Sequence, residues 1–103
     1  MGSLVNPLLC SAIRHRRLIT FYYDGGRRTV EPYSHGSSAA GHDLLSGYQT
    51  AGHSTSGTPL GWKMFRLDEL SGLAMTDQVF AENRPEYDPS RDDKMATIYC
   101  RIQ

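Results

Sequence analysis

No stretch of this chain approaches the roughly twenty apolar residues that cross a bilayer as a helix, so no membrane span is expected. Cysteine is scarce, with only Cys10 and Cys100, far apart in the chain. Two cysteines do not make a disulfide framework, and the expected state is a pair of reduced thiols in a cytoplasmic protein. Residues 1 to 9 lack a basic segment, so no secretory leader is expected. Neither sign of charge is in excess, with eleven cations against eleven acids. That excludes a polycation that coats duplex nucleic acid through many phosphate contacts. His15, His35, His42 and His53 form no C-x-x-C or H-E-x-x-H spacing with the cysteines or acids. Neither a metal nor a cofactor is expected. Nothing pairs a nucleophile with a base at a recognisable spacing, so no enzyme is expected.

What the chain does have is glycine, ten residues of it, clustered with Ser and Thr between short apolar segments. That pattern predicts short strands joined by turns in a single domain of 103 residues. Charge is also segregated. Residues 1 to 36 hold Arg14, Arg16, Arg17, Arg27 and Arg28 against Asp24 and Glu31, while the remainder holds six cations against nine acids. The resulting field favours an anion at one face.

Asn6-Pro7 opens a helix over about 6–16, with asparagine at the N-cap and proline in the first turn. Leu9, Ala12 and Ile13 follow helical spacing. The period then changes. Leu18 to Tyr23 is β-branched and aromatic, Asp24-Gly25-Gly26 is a hairpin turn, and Arg28 to Glu31 returns as a second strand that Pro32 ends or marks as an edge. Ser34 to Gly41 reads as a loop. Asp43 to Gln49 is a third strand, with Gly47 at a bulge or close approach. Ala51 to Gly61 is a loop and the most mobile segment expected. Trp62 to Leu67 is a fourth strand, residues 68–72 one helical turn, and Leu73 to Thr76 a fifth strand. The barrel so predicted spans about 18–76. Residues 77–103 form an irregular acidic C-terminal extension, anchored by Phe80 and Tyr87, from which Met95 to Ile102 returns towards the sheet. The fold class is mainly β: a small five-stranded barrel that hides its edges by closure, with an N-terminal helix.

Ala12-Ile13-Arg14, Leu18 through Tyr23, Val30-Glu31-Pro32-Tyr33, Leu45-Ser46-Gly47-Tyr48 and Phe65-Arg66-Leu67-Asp68 follow in order and spacing. In this the chain resembles the WYL domain over roughly residues 9 to 87. The resemblance implies an Sm-like, SH3-type barrel that senses a ligand, often a nucleotide or nucleic acid, within bacterial transcription regulators. The naming Trp-Tyr-Leu tripeptide is here Asp43-Leu44-Leu45, and Glu69 stands where a basic residue commonly follows Leu-Asp. Residues 1 to 17 hold a single helix, so a DNA-binding regulator is expected in trans.

The resemblance points to Arg66 and Lys63 as anion ligands and to Tyr33 and Tyr48 as stacking or hydrogen-bonding partners; Arg28 completes the candidate ligand site. A guanidinium matches two phosphate oxygens, and a tyrosine face stacks on a base. Each has a plainer role: Arg66 in a salt bridge to Asp68 or Glu31, the tyrosines in the core, and Arg28 as solvated charge. Strand parity sets Lys63 with Phe65 and Leu67, and Arg66 with Trp62 and Met64. The expected function is a ligand- or nucleic-acid-sensing module that binds a nucleotide or single-stranded nucleic acid. The alternative is a protein-interaction or oligomerisation barrel whose anion site has decayed, with Trp62 and Tyr22 in the contact. A homodimer fits either.

Overall fold

The structure, a computed structural model, describes residues 5–54 and 60–103, apart from the side chain of Arg91. Helix α1 spans Pro7–His15. The Asn6 side chain accepts from the Leu9 N–H, and Pro7 occupies a position whose N–H would have no helical partner. The helix stops because Arg16 turns left-handed, at φ 54°. That turn feeds the chain directly into β1, Arg17–Tyr23.

Six strands follow: β1, then β2 (Gly26–Ser37), β3 (Asp43–Gly52), β4 (Gly61–Arg66), β5 (Leu70–Val79) and β6 (Thr97–Arg101). All pair antiparallel, in the order β4-β3-β2-β1-β5, with β6 on β2. The sheet therefore has six strands where the sequence predicts five, and β4 and β5 are its ends instead of the closing pair of a barrel. Asp24 and Gly25 both take positive φ, 48° and 92°, which gives the β1–β2 hairpin its tight turn. A single turn of 3-10 helix at Leu67–Glu69 links β4 to β5.

Pro32 does not end β2. The register steps from Pro32↔Gly47 to Ser34↔Ser46, so Tyr33 is the extra residue of a bulge. A proline is tolerated beside such an interruption of the ladder. The strand runs on through the predicted loop to Ser37, pairing with β3 on one side and β6 on the other. Gly47 meets the expectation of a close approach: a Cβ there would lie 2.5 Å from the Glu31 carbonyl oxygen. The loop expected over 51–61 is shorter, since β3 reaches Gly52 and β4 starts at Gly61; its expected mobility at 55–59 lies outside the described residues.

Two apolar clusters form. Leu9 and Ala12 of α1 cover Ile19, Phe21, Val30, Leu45 and Phe65. Phe21 and Phe65 meet edge to face at 5.0 Å, and burying each such ring contributes about 1.5–3 kcal/mol. The second cluster joins Ile13 to Tyr33, Phe80 and Ile102, with Tyr48, Trp62 and Tyr87 packed against it. Phe80 and Tyr87 thus anchor the segment after β5. That segment is not irregular throughout, for it includes 3-10 turns at Pro89–Lys94 and then β6.

The two cysteines are not reduced thiols. Cys10 on α1 and Cys100 on β6 form a disulfide. A spacing of ninety residues carries no sequence signal for pairing; only the fold, by laying β6 under α1, brings them together. The argument for a cytoplasmic location from free thiols falls with this correction. Among the described residues, no helix is long and apolar enough to cross a membrane.

Candidate functional site

Three groups of polar side chains stand out, and four of the five sequence candidates fall in the second and third of them. The first lies between α1 and β6. The Cys10–Cys100 disulfide, Ile13 and Ile102 line a cavity of about 540 Å³ whose rim carries Arg14, Arg16 and Arg101. The left-handed turn at Arg16 directs its guanidinium to the Asn83 Oδ1, at 2.5 Å, and to the Gln103 carbonyl, at 2.6 Å. Arg101 is held by Asp92, an almost wholly buried carboxylate that also accepts from the Ser34 hydroxyl. Arg14, exposed on the last turn of α1, has no side-chain partner among the described residues.

The second group surrounds Tyr33, Tyr48 and Trp62. Glu31, Tyr48 and Trp62 lie opposite one another across β2, β3 and β4. Trp62 packs against Tyr33 at 4.7 Å and Tyr48 at 5.5 Å. Arg84, from the segment after β5, inserts here. Its Nε and one terminal nitrogen donate to the two Glu31 carboxylate oxygens at 2.9 and 3.0 Å. Its guanidinium carbon lies 3.7 Å from the Tyr48 ring centre. The Tyr33 hydroxyl accepts from the Arg84 main-chain N–H at 2.9 Å and donates to Glu31 at 3.4 Å. Burial pushes the Tyr33 phenol up, and the hydrogen bond to Glu31 pushes the Arg84 guanidinium up.

The third group centres on Tyr23. Arg28 is 4% exposed, with its guanidinium over Tyr23 and Phe65 at 5.2 and 5.7 Å. It donates to the Gln49 Oε1 at 3.4 Å, and its Nε is buried without a partner. The solvated role read from its place after the hairpin does not apply. The Tyr23 hydroxyl accepts from the Arg66 N–H. The Arg66 side chain is held by Asp68 at 2.7 Å, with Glu69 at 3.8 Å and His42 at 3.2 Å. The hydrogen bond to Asp68 raises its pKa.

Of the five candidates, Tyr33 and Tyr48 come together at Trp62, while Arg28 and Arg66 flank Tyr23. Lys63 lies in a separate cleft of about 240 Å³ with Lys94, Ser46, Trp62 and Met64. The five do not line one hollow. Sequence reasoning missed Arg84 and Arg101. Arg84 has one signal in retrospect, as a lone cation among Glu82, Glu86 and Asp88. Set against family models, curated proteins and solved structures, the chain matches none of them.

Proposed function

We propose that the protein is a ligand-sensing module of the WYL type, built on an open antiparallel sheet, that binds an anionic ligand such as a nucleotide or a short single-stranded nucleic acid. The observation that carries this reading is the arginine-rimmed cavity between α1 and β6. Its volume lies within the range of small-molecule sites. The apolar wall of Ile13 and Ile102 suits a base or sugar, and Arg14 is available to a phosphate as a two-pronged donor. The Lys63–Lys94 cleft offers a second, smaller anion site. Arg66 is already engaged by two carboxylates, so it contributes less than the motif resemblance implies. A regulator that binds DNA in trans would receive the signal.

The alternative, a protein-interaction or oligomerisation module, has one observation in its favour. Tyr22, Met75 and Val79 on the paired strands β1 and β5 are exposed apolar residues. Trp62, expected beside Tyr22 in such a contact, packs instead against Tyr33 and Tyr87.

Titration with a panel of nucleotides and single-stranded oligonucleotides at low salt tests the first reading. Saturable binding, weakened about tenfold or more by Arg14→Ala, is expected. Absence of binding, or binding indifferent to both Arg14→Ala and Arg66→Ala, overturns it. A tight homodimer without ligand affinity, insensitive to salt and broken by Tyr22→Asp, supports the alternative.

A further inference from the structure

We propose that Glu31, Tyr33, Tyr48 and Trp62 form a receptor for an arginine side chain, which the chain fills with its own Arg84 and which an arginine of a second polypeptide takes over when residues 80–88 lift away. This inference stands apart from the α1–β6 cavity and does not depend on its ligand.

The receptor half is built in advance. Glu31, Tyr48 and Trp62 sit in register on three hydrogen-bonded strands, so their backbone positions are set by the sheet; the rings of Tyr33 and Trp62 also pack on Tyr87 of the covering segment. The Glu31 side chain is only 9% exposed. A carboxylate so buried demands a cation, and emptying the site leaves it uncompensated. The site distinguishes guanidinium from ammonium in two ways. Both Glu31 oxygens accept in parallel, which matches the planar fork of arginine, and Tyr48 offers a ring face for stacking at 3.7 Å. It also reads the main chain, since the Tyr33 hydroxyl accepts from the N–H of the inserted residue. Arginine within a polypeptide satisfies all three contacts.

The occupant half is built differently. Residues 80–88 contain neither helix nor strand, and Ala81, Glu82, Pro85, Glu86 and Asp88 are exposed. The segment is held by Phe80 below it, by the Asn83 contact to Arg16, and by the inserted Arg84 and Tyr87. A ligand carried on such a segment competes with any external one at the high effective concentration of a tethered group. The wild-type receptor is therefore expected to be masked.

The test is isothermal titration of the intact protein and of Arg84→Ala with N-acetyl-arginine amide and with a short arginine-containing peptide. Arg84→Ala is expected to bind both at least about tenfold more tightly than wild type, to prefer arginine over the lysine counterpart, and to lose binding when Glu31→Gln is added. If Arg84→Ala does not fold, its thermal unfolding is followed with and without the same arginine amide. Recovery of a cooperative transition by arginine amide, not by lysine amide, supports the proposal. A folded Arg84→Ala that binds arginine no better than the double variant overturns it, as does an unfolded one that arginine amide fails to rescue.

Discussion

Cys10 of α1 is bonded to Cys100 of β6, so the first helix and the last strand are one covalent unit across ninety residues of sequence. A cross-link over a loop of this length lowers the entropy of the unfolded chain, typically by the equivalent of about 2–4 kcal/mol. The double variant Cys10→Ser/Cys100→Ser is expected to lose that much stability in urea denaturation. Wild-type protein treated with reductant should move towards the same midpoint. Identical curves with and without reductant would show that the bond contributes nothing.

Arg28 lies buried over Tyr23 and Phe65 with a single long hydrogen bond. Desolvating a cation costs more than such contacts return unless an acid compensates. Replacement by an apolar side chain of similar length should therefore be tolerated. Arg28→Met is expected to match or exceed wild-type stability, whereas Arg28→Ala should lose about 2 kcal/mol or more through the space its stem leaves. Denaturant midpoints of the two variants distinguish a packing role from an electrostatic one. A loss as large for Met as for Ala would mean that the charge itself matters.

His35 is wholly buried and bridges two elements: its Nδ1–H donates to the Leu44 carbonyl at 2.9 Å, and its Nε2 accepts from the Asn6 N–H at 3.0 Å. Accepting at Nε2 requires the neutral ring. Burial lowers the pKa from the ordinary 6.5. The unfolded chain therefore takes up a proton at a higher pH than the folded one. The stability of the neutral ring is present in full above the unfolded value and declines as pH falls from there towards the depressed folded value. Unfolding free energy should begin to drop as pH falls through the ordinary 6.5 and go on dropping below it. His35→Gln should start lower and lose much of this dependence, and an unchanged slope in that variant would assign the effect to other groups.

Gly47 faces the Glu31 carbonyl oxygen and the Val30 side chain so closely that an added Cβ would lie 2.5 and 2.6 Å from them. Gly47→Ala must push β2 and β3 apart directly behind Glu31. A loss of about 1–3 kcal/mol is expected, together with a change in Trp62 fluorescence as the row of Glu31, Tyr48 and Trp62 shifts. A variant with wild-type fluorescence and midpoint would show that the strands accommodate the methyl freely.

Local signals carried much of the fold. The Asn6-Pro7 start, the Asp24-Gly25 turn and the aromatic run of β1 act within a few residues, and the helix and first hairpin fall where those signals lie. The second half of β2 was illegible for a physical reason. Ser34 and His35 read as loop residues because a polar side chain declares burial only through its partners. Two of those partners, Asp92 and Asn6, lie 58 and 29 residues away, and the third, Leu44, comes from the next strand. The candidate site fared similarly. Tyr33 and Tyr48 were visible as aromatic residues in ordered motifs, but the cation between them and Glu31 sits 53 residues from its carboxylate. Arg66 was legible in its plainer role, since the salt bridge to Asp68 forms as read; the second acid, Glu69, turns back upon it only through the 3-10 turn.

The surplus residue at Tyr33 works as a dislocation in the phase of β2. From Val30 to Pro32, alternation along the strand is set by one frame of pairing with β3; downstream of Tyr33, by a frame one step out. Removing a residue from this stretch would heal the fault and swap inside for outside along one arm of the strand. Exchanging one side chain for another should thus be far better tolerated between 30 and 37 than any change in the number of residues.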